Sequence, residues 1–208
     1  MTTSCWFLVF IRVCWLPLVL VAAKEQQGYG CTAERCGNLT ISSSLWLSDL
    51  ETGRPCGPRD FEVACSNNTP VLRSSQSTTF AIMNISYEER SLHVVDLHKE
   101  EDFNCHFPRW NTSGELGLLF KVSPTNMNLI FYNCTKTATH LQRVLVEMSC
   151  GNGSNAFVHA GVPYDPTRVY GGYALEGCDT IIMPVLGSLS EANASEYKKL
   201  ISDGFLLT

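Results

Sequence analysis

The chain has 208 residues, 45% of them hydrophobic, and a formal net charge of −5; by length it holds one large or two small domains. Its acidic balance argues against a nucleic-acid partner. Ten cysteines in so short a chain point away from the cytosol and toward an oxidising compartment.

The chain opens on an apolar leader, residues 1–23. Residues 6–20 are apolar except for Arg12, Val21-Ala22-Ala23 offers small residues for cleavage, and polar Lys24-Glu25-Gln26-Gln27 follows, the form of a signal peptide. The 18 residues from Trp6 to Ala23 are long enough to be weighed as a membrane span. Arg12 near their middle would cost about 2.5–3.5 kcal/mol there. Cleavage is the expectation, with membrane association through an uncleaved leader as the alternative. Cleavage after Ala23 leaves 185 residues of net charge −6 and removes Cys5 and Cys14.

Eight cysteines remain: Cys31, Cys36, Cys56, Cys65, Cys105, Cys134, Cys150 and Cys178. Seven Asn-x-Ser/Thr acceptors lie among them, at Asn38, Asn67, Asn84, Asn111, Asn133, Asn152 and Asn193. Together they predict a secreted, glycosylated, disulfide-bonded chain rather than a metal site. Cys31 with Cys36 and Cys56 with Cys65 are near enough in sequence for local bridges, and the partners stay open.

Taken in order, Cys36-Gly37 turns into a strand over Leu39-Thr40-Ile41. Cys56-Gly57-Pro58 turns into a second, Phe61-Glu62-Val63, which ends at Cys65; alternation puts Phe61 and Val63 on one face and Glu62 on the other. Residues 78–85 and 91–96 carry β-formers around Tyr87-Glu88-Glu89-Arg90 and predict a hairpin. The charge run Lys99-Glu100-Glu101-Asp102 reads as an exposed loop joining two halves. Residues 116–122 and 129–132 read as a strand pair about the turn Ser123-Pro124-Thr125-Asn126. Further strands are expected at 143–148, at Ala174-Leu175 and at 180–185. One helix follows, with Ser190 as N-cap, Glu191 early and Lys198-Lys199 late to suit the dipole. Tyr197, Leu200 and Ile201 form its apolar face and Gly204 stops it. The fold class is mainly β, built of disulfide-rich short-strand domains with a short C-terminal helix.

Catalytic patterns are missing from this sequence. His93, His98, His106, His140 and His159 show no His-Glu-x-x-His spacing, no Gly-x-Ser-x-Gly elbow occurs, and no carboxylate pair stands out as glycosidase machinery. A non-enzyme without metal or cofactor is expected.

The ordered set Cys31-x4-Cys36-Gly37, Cys56-Gly57-Pro58-x-x-Phe61-Glu62-Val63-x-Cys65, Ile85-Ser86-Tyr87, residues 92–96 and Phe131-Tyr132-Asn133-Cys134 resembles the extracellular region of plant wall-associated and leaf-rust-resistance-type receptor kinases. Residues 31–98 resemble the cysteine-rich galacturonan-binding domain of that family. Residues 105–208, ending in Tyr197-Lys198-Lys199-Leu200-Ile201 and Gly204-Phe205, resemble its companion C-terminal domain, cut short. Where the family has Tyr-Pro-Phe-Trp, this chain has Ser43-Ser44-Leu45-Trp46, which keeps only the tryptophan. It carries no kinase Gly-rich loop or His-Arg-Asp motif, and so reads as an ectodomain-only relative, a splice form or a partial product. The resemblance implies binding of cell-wall polysaccharide, chiefly galacturonan.

Such a carboxylated polymer calls for arginines, whose planar guanidinium makes bidentate contacts, and for aromatic faces. Arg54, Arg59 and Trp46 are the site candidates, with Arg35 and Arg73 nearby. Trp46 is weighed against a core position, and Trp110, beside the acceptor Asn111, against an exposed loop. The rival reading is a soluble interaction module that pairs with a full-length receptor kinase.

Overall fold

The structure, a computed structural model, describes residues 31–42, 44–48, 55–73, 79–97, 120–135, 145–148, 155–165, 167, 170–187 and 193–208. The leader, Arg54, Cys105, Cys150, Asn111, Asn152, Trp110, the charge run at 99–102, His98, His106, His140 and Ser190 lie outside them, as does the side chain of Arg73.

Twelve strands are described: β1 (Glu34–Cys36), β2 (Leu39–Ile41), β3 (Trp46–Leu47), β4 (Glu62–Ser66), β5 (Thr69–Arg73), β6 (Thr79–Ser86), β7 (Ser91–Asp96), β8 (Met127–Cys134), β9 (Val146–Glu147), β10 (Ala156–Pro163), β11 (Cys178–Val185) and β12 (Phe205–Leu207), with the helix α1 (Tyr197–Asp203) before the last. β1 and β2 form a hairpin; a six-stranded sheet runs β12-β7-β6-β5-β4-β3, and a four-stranded sheet runs β11-β8-β10-β9. The mainly β class with one short C-terminal helix is what the structure shows.

The first sheet is built by hairpins. β4 and β5 turn through Asn67 and Asn68, with φ of 50° and 63°, the left-handed pair that a tight hairpin turn requires and that asparagine tolerates. β6 and β7 pair from Ser86–Ser91 outward around Tyr87–Arg90, as the alternation predicts. One face of this sheet carries Val63, Leu72, Phe80, Ile82 and Val94 into a core closed by Cys36, Ile41, Leu45 and Val122.

In the second sheet the central strand β8 is buried on both faces. Leu129 and Phe131 meet Val158, Met183 and the helix residues Tyr197, Leu200 and Ile201. Ile130 and Tyr132 meet Phe157 and Val162 on the other side. A strand covered on both faces reads as a continuous apolar run.

Several expectations are corrected. The pair 116–122 with 129–132 does not form: β8 bonds to β10 and β11, while Lys121 and Ser123 bond to Thr208 and Leu206 at the chain's end. The turn between them is present, with Asn126 N–H donating to Ser123 O at 3.1 Å. Phe61 ends a 3-10 turn, Arg59–Phe61, so that β4 starts one residue later; it still packs in the same cluster as Val63. Ala174 and Leu175 follow a 3-10 turn, Gly171–Tyr173, instead of forming a strand. The helical segment is capped by Asn193, whose side chain accepts from Ser195 N at 3.0 Å. Gly204, at φ +78°, ends α1 as expected.

The cysteines pair as Cys31–Cys56, Cys36–Cys65 and Cys134–Cys178, so the local bridges 31–36 and 56–65 are excluded. The segment from Cys31 to Cys36 runs into β1, and an extended chain of that length separates its ends by roughly 16 Å, far beyond the span of a disulfide. Each of these four cysteines instead bridges to a neighbouring element, with Cα separations of 5.6 and 5.7 Å. Cys134 and Cys178 lie directly opposite each other on β8 and β11.

Candidate functional site

The first two bridges knit β1–β2, the 55–61 turn and β4 into one surface unit. Two close contacts set its geometry. Gly37, at φ +58°, lies where a Cβ would stand 2.1 Å from Asn68 O, so the β1–β2 turn rests on the β4–β5 turn. Gly57 lies against Trp46, where a Cβ would meet Cδ1 at 2.7 Å.

Trp46 is only 4% exposed. Its Nε1–H donates to Pro58 O at 2.8 Å, and that same carbonyl accepts from Phe61 N at 3.0 Å. The indole therefore braces the Cys56-Gly57-Pro58 turn from inside, and its ring is not an open stacking platform. Of the two positions weighed for Trp46, its burial agrees with the core one. Arg59, next in the turn, is exposed and opens the 3-10 turn Arg59–Phe61, its carbonyl accepting from Glu62 N–H.

Arg35 is exposed at the middle of β1, opposite Thr40 on β2. The Thr40 carbonyl accepts from Tyr87 Oη at 2.8 Å, and the same hydroxyl accepts from Ser42 N at 2.8 Å. Tyr87 is 39% exposed. Its hydroxyl is pinned to β2 while part of its ring faces solvent, so the β6–β7 turn delivers an oriented aromatic beside the arginine-bearing hairpin. Sequence reasoning placed Tyr87 only in a turn; Ile85-Ser86-Tyr87 hinted at a special position, but its tie to β2 spans 47 residues.

The disulfide-knit unit thus carries exposed Arg35 and Arg59, each next in sequence to an exposed carboxylate, Glu34 and Asp60, with exposed Tyr87 tied to β2. Guanidinium groups offer bidentate hydrogen bonds to carboxylates, and a fixed aromatic ring offers an apolar face with a polar rim. Of the acceptor asparagines, Asn38, Asn67, Asn84, Asn133 and Asn193 are all exposed.

Among the described residues no helix is long and apolar enough to cross a membrane. Residues 31–96 match the family model described as wall-associated receptor kinase galacturonan-binding. No curated protein and no solved structure matches the chain.

Proposed function

We propose, taking residues 31–96 as a wall-associated receptor kinase galacturonan-binding domain, that this protein is a secreted, non-catalytic glycoprotein that binds pectic polysaccharide in the cell wall. The observation that carries this reading is the exposed pair Arg35 and Arg59 on a disulfide-knit frame, with the pinned ring of Tyr87 alongside. Arg54, two residues before Cys56, belongs to the same proposed site. In this reading the second sheet and α1 make up the companion C-terminal domain, which begins near residue 105 and lends β12 to the first sheet.

The test is binding of the secreted protein to immobilised de-esterified galacturonan. The double variant R35A/R59A is expected to bind at least about tenfold more weakly, as loss of charge-assisted contacts implies, with its melting temperature unchanged because both side chains are on the surface. Undiminished binding would discard the site. The second reading is an interaction module that pairs with a full-length receptor kinase; the receptor origin of the matched domain favours it. It predicts saturable binding to such an ectodomain and no affinity for galacturonan.

A further inference from the structure

A cleft of about 560 Å³ opens between the β6–β7 hairpin and α1, lined by Met83 and His93 from the sheet and by Leu186, Glu196, Lys199 and Leu200 from the second unit. That volume is in the range that holds small ligands, roughly 300–1,000 Å³. His93 is held in place by Asp203, whose carbonyl lies 2.6 Å from Nε2. The carboxylates of Glu196 and Asp203 oppose the one lysine, which suits a neutral, amphipathic occupant better than an anionic one.

The strand geometry says where such an occupant starts. Ile82 pairs with Val94 and Asn84 with His93, so β6 bulges at Met83, whose side chain is 54% exposed. A bulge sets two residues against one, and residues directly opposite in an antiparallel pair share a face. Asn84, itself exposed, therefore rises from the same side as His93 and next to Met83, both of which line the cleft. Asn84-Ile85-Ser86 is an acceptor for N-linked glycan.

We propose that an N-linked glycan on Asn84 occupies this cleft, its first N-acetylglucosamine rings lying over Met83 and Leu200 and its polar groups toward Glu196 and Lys199. The Asn84 amide nitrogen bonds to the anomeric carbon of the sugar, losing a proton as the lipid pyrophosphate of the donor leaves. The glycan becomes a built-in part of the joint between the two sheets. This rests on the secretory route proposed above.

Methionine oxidation follows exposure and reads the cover directly. In the secreted protein, peptide mass spectrometry is expected to find Asn84 occupied. Peroxide is expected to oxidise Met83 about threefold or more slowly than in N84Q and S86A, which both lose the acceptor. Buried Met127 and Met183 serve as internal references and should react alike in all three. An empty Asn84 with glycan on other acceptors would overturn the inference and leave secretion standing, whereas no glycan anywhere would overturn both. Equal Met83 rates, with protection by added galacturonan oligosaccharide in every variant, would overturn it and assign the cleft to an external saccharide.

Discussion

At Gly37 the fold leaves no room for a side chain. A left-handed φ and an Asn68 carbonyl 2.1 Å from where Cβ would stand act together, and the obstacle is backbone. Gly37→Ala is expected to destabilise the protein by about 2–3 kcal/mol, visible as a lower denaturant midpoint; a change under about 0.5 kcal/mol would mean that the two turns do not rest on each other. Trp46 teaches a different lesson about single residues. A tryptophan is suited both to cores and to sugar surfaces, so its chemistry alone could not assign it. The contact with Gly57 and the bond to Pro58 assign it to the inside. Asn126 does the most per atom: it is 1% exposed, its Nδ2 donates to Ser123 O and Leu206 O, and its Oδ1 accepts from Leu206 N, all at 2.8 Å. Asn126→Ala strands buried partners and is expected to cost about 3 kcal/mol, with faster hydrogen exchange at Leu206 as the local readout.

At the scale of elements, β12 is the seam. It pairs with β7 in register Phe205–Val94, bonds on its other edge to Lys121 and Ser123, and sends Phe205 edge-on to Phe80 at 6.0 Å. Phe205→Ala is expected to cost about 3–5 kcal/mol and to loosen both sheets together; a loss confined to one sheet by hydrogen exchange would contradict the seam. Among the described residues, two groups of the second sheet tie stability to pH. Burial, with a smaller contribution from Tyr173, pushes the Tyr132 phenol up from 10.0 to about 12, and its hydroxyl donates to Tyr173 O at 2.8 Å. The unfolded chain loses this proton first, so the stability is full below pH 10 and falls as pH rises toward 12. Burial also holds the His159 imidazole below its usual 6.5. Between the two values the unfolded chain binds the extra proton, so stability is full above 6.5 and falls as pH drops below it. Tyr132→Phe should flatten the alkaline limb of a melting-temperature profile, and His159→Gln the acid limb; unchanged limbs would contradict these assignments.

Across the whole molecule, what was legible in the sequence was local. The β6–β7 hairpin showed itself because period-two alternation and a polar turn lie side by side, and the Tyr197, Leu200 and Ile201 face showed itself because helical spacing is short-range. β8 was visible as an apolar run, but its partners were not. Lys121 and Ser123 pair with the chain's end more than 80 residues on, and no local pattern encodes that. β10 escaped because Gly161, at φ +79°, and Pro163 interrupt its alternation at a register shift, and β5 because Pro70 stands inside it. Pro70 cannot donate a ladder bond, which demotes such a run when read alone. The disulfide partners were hidden for the same reason, since each bridge joins elements that only the tertiary fold brings together. The candidate site was half legible: the arginines were visible as residues, whereas Tyr87 joined them only through its bonds to β2.

The arrangement as a whole is a six-stranded and a four-stranded sheet, with two disulfides knitting the β1–β2 hairpin and the 55–61 turn onto the first and exposed arginines on that unit. We propose that the exposed arginines Arg35 and Arg59 of this unit hold galacturonan. The most direct test is binding of secreted residues 24–208 to de-esterified galacturonan and to neutral wall glycans across a salt series. Saturable binding to galacturonan alone is expected, weakening as salt screens the exposed contacts and largely lost in R35A/R59A. Absence of binding to galacturonan by folded, disulfide-bonded protein, or binding indifferent to salt and to both arginines, would contradict it.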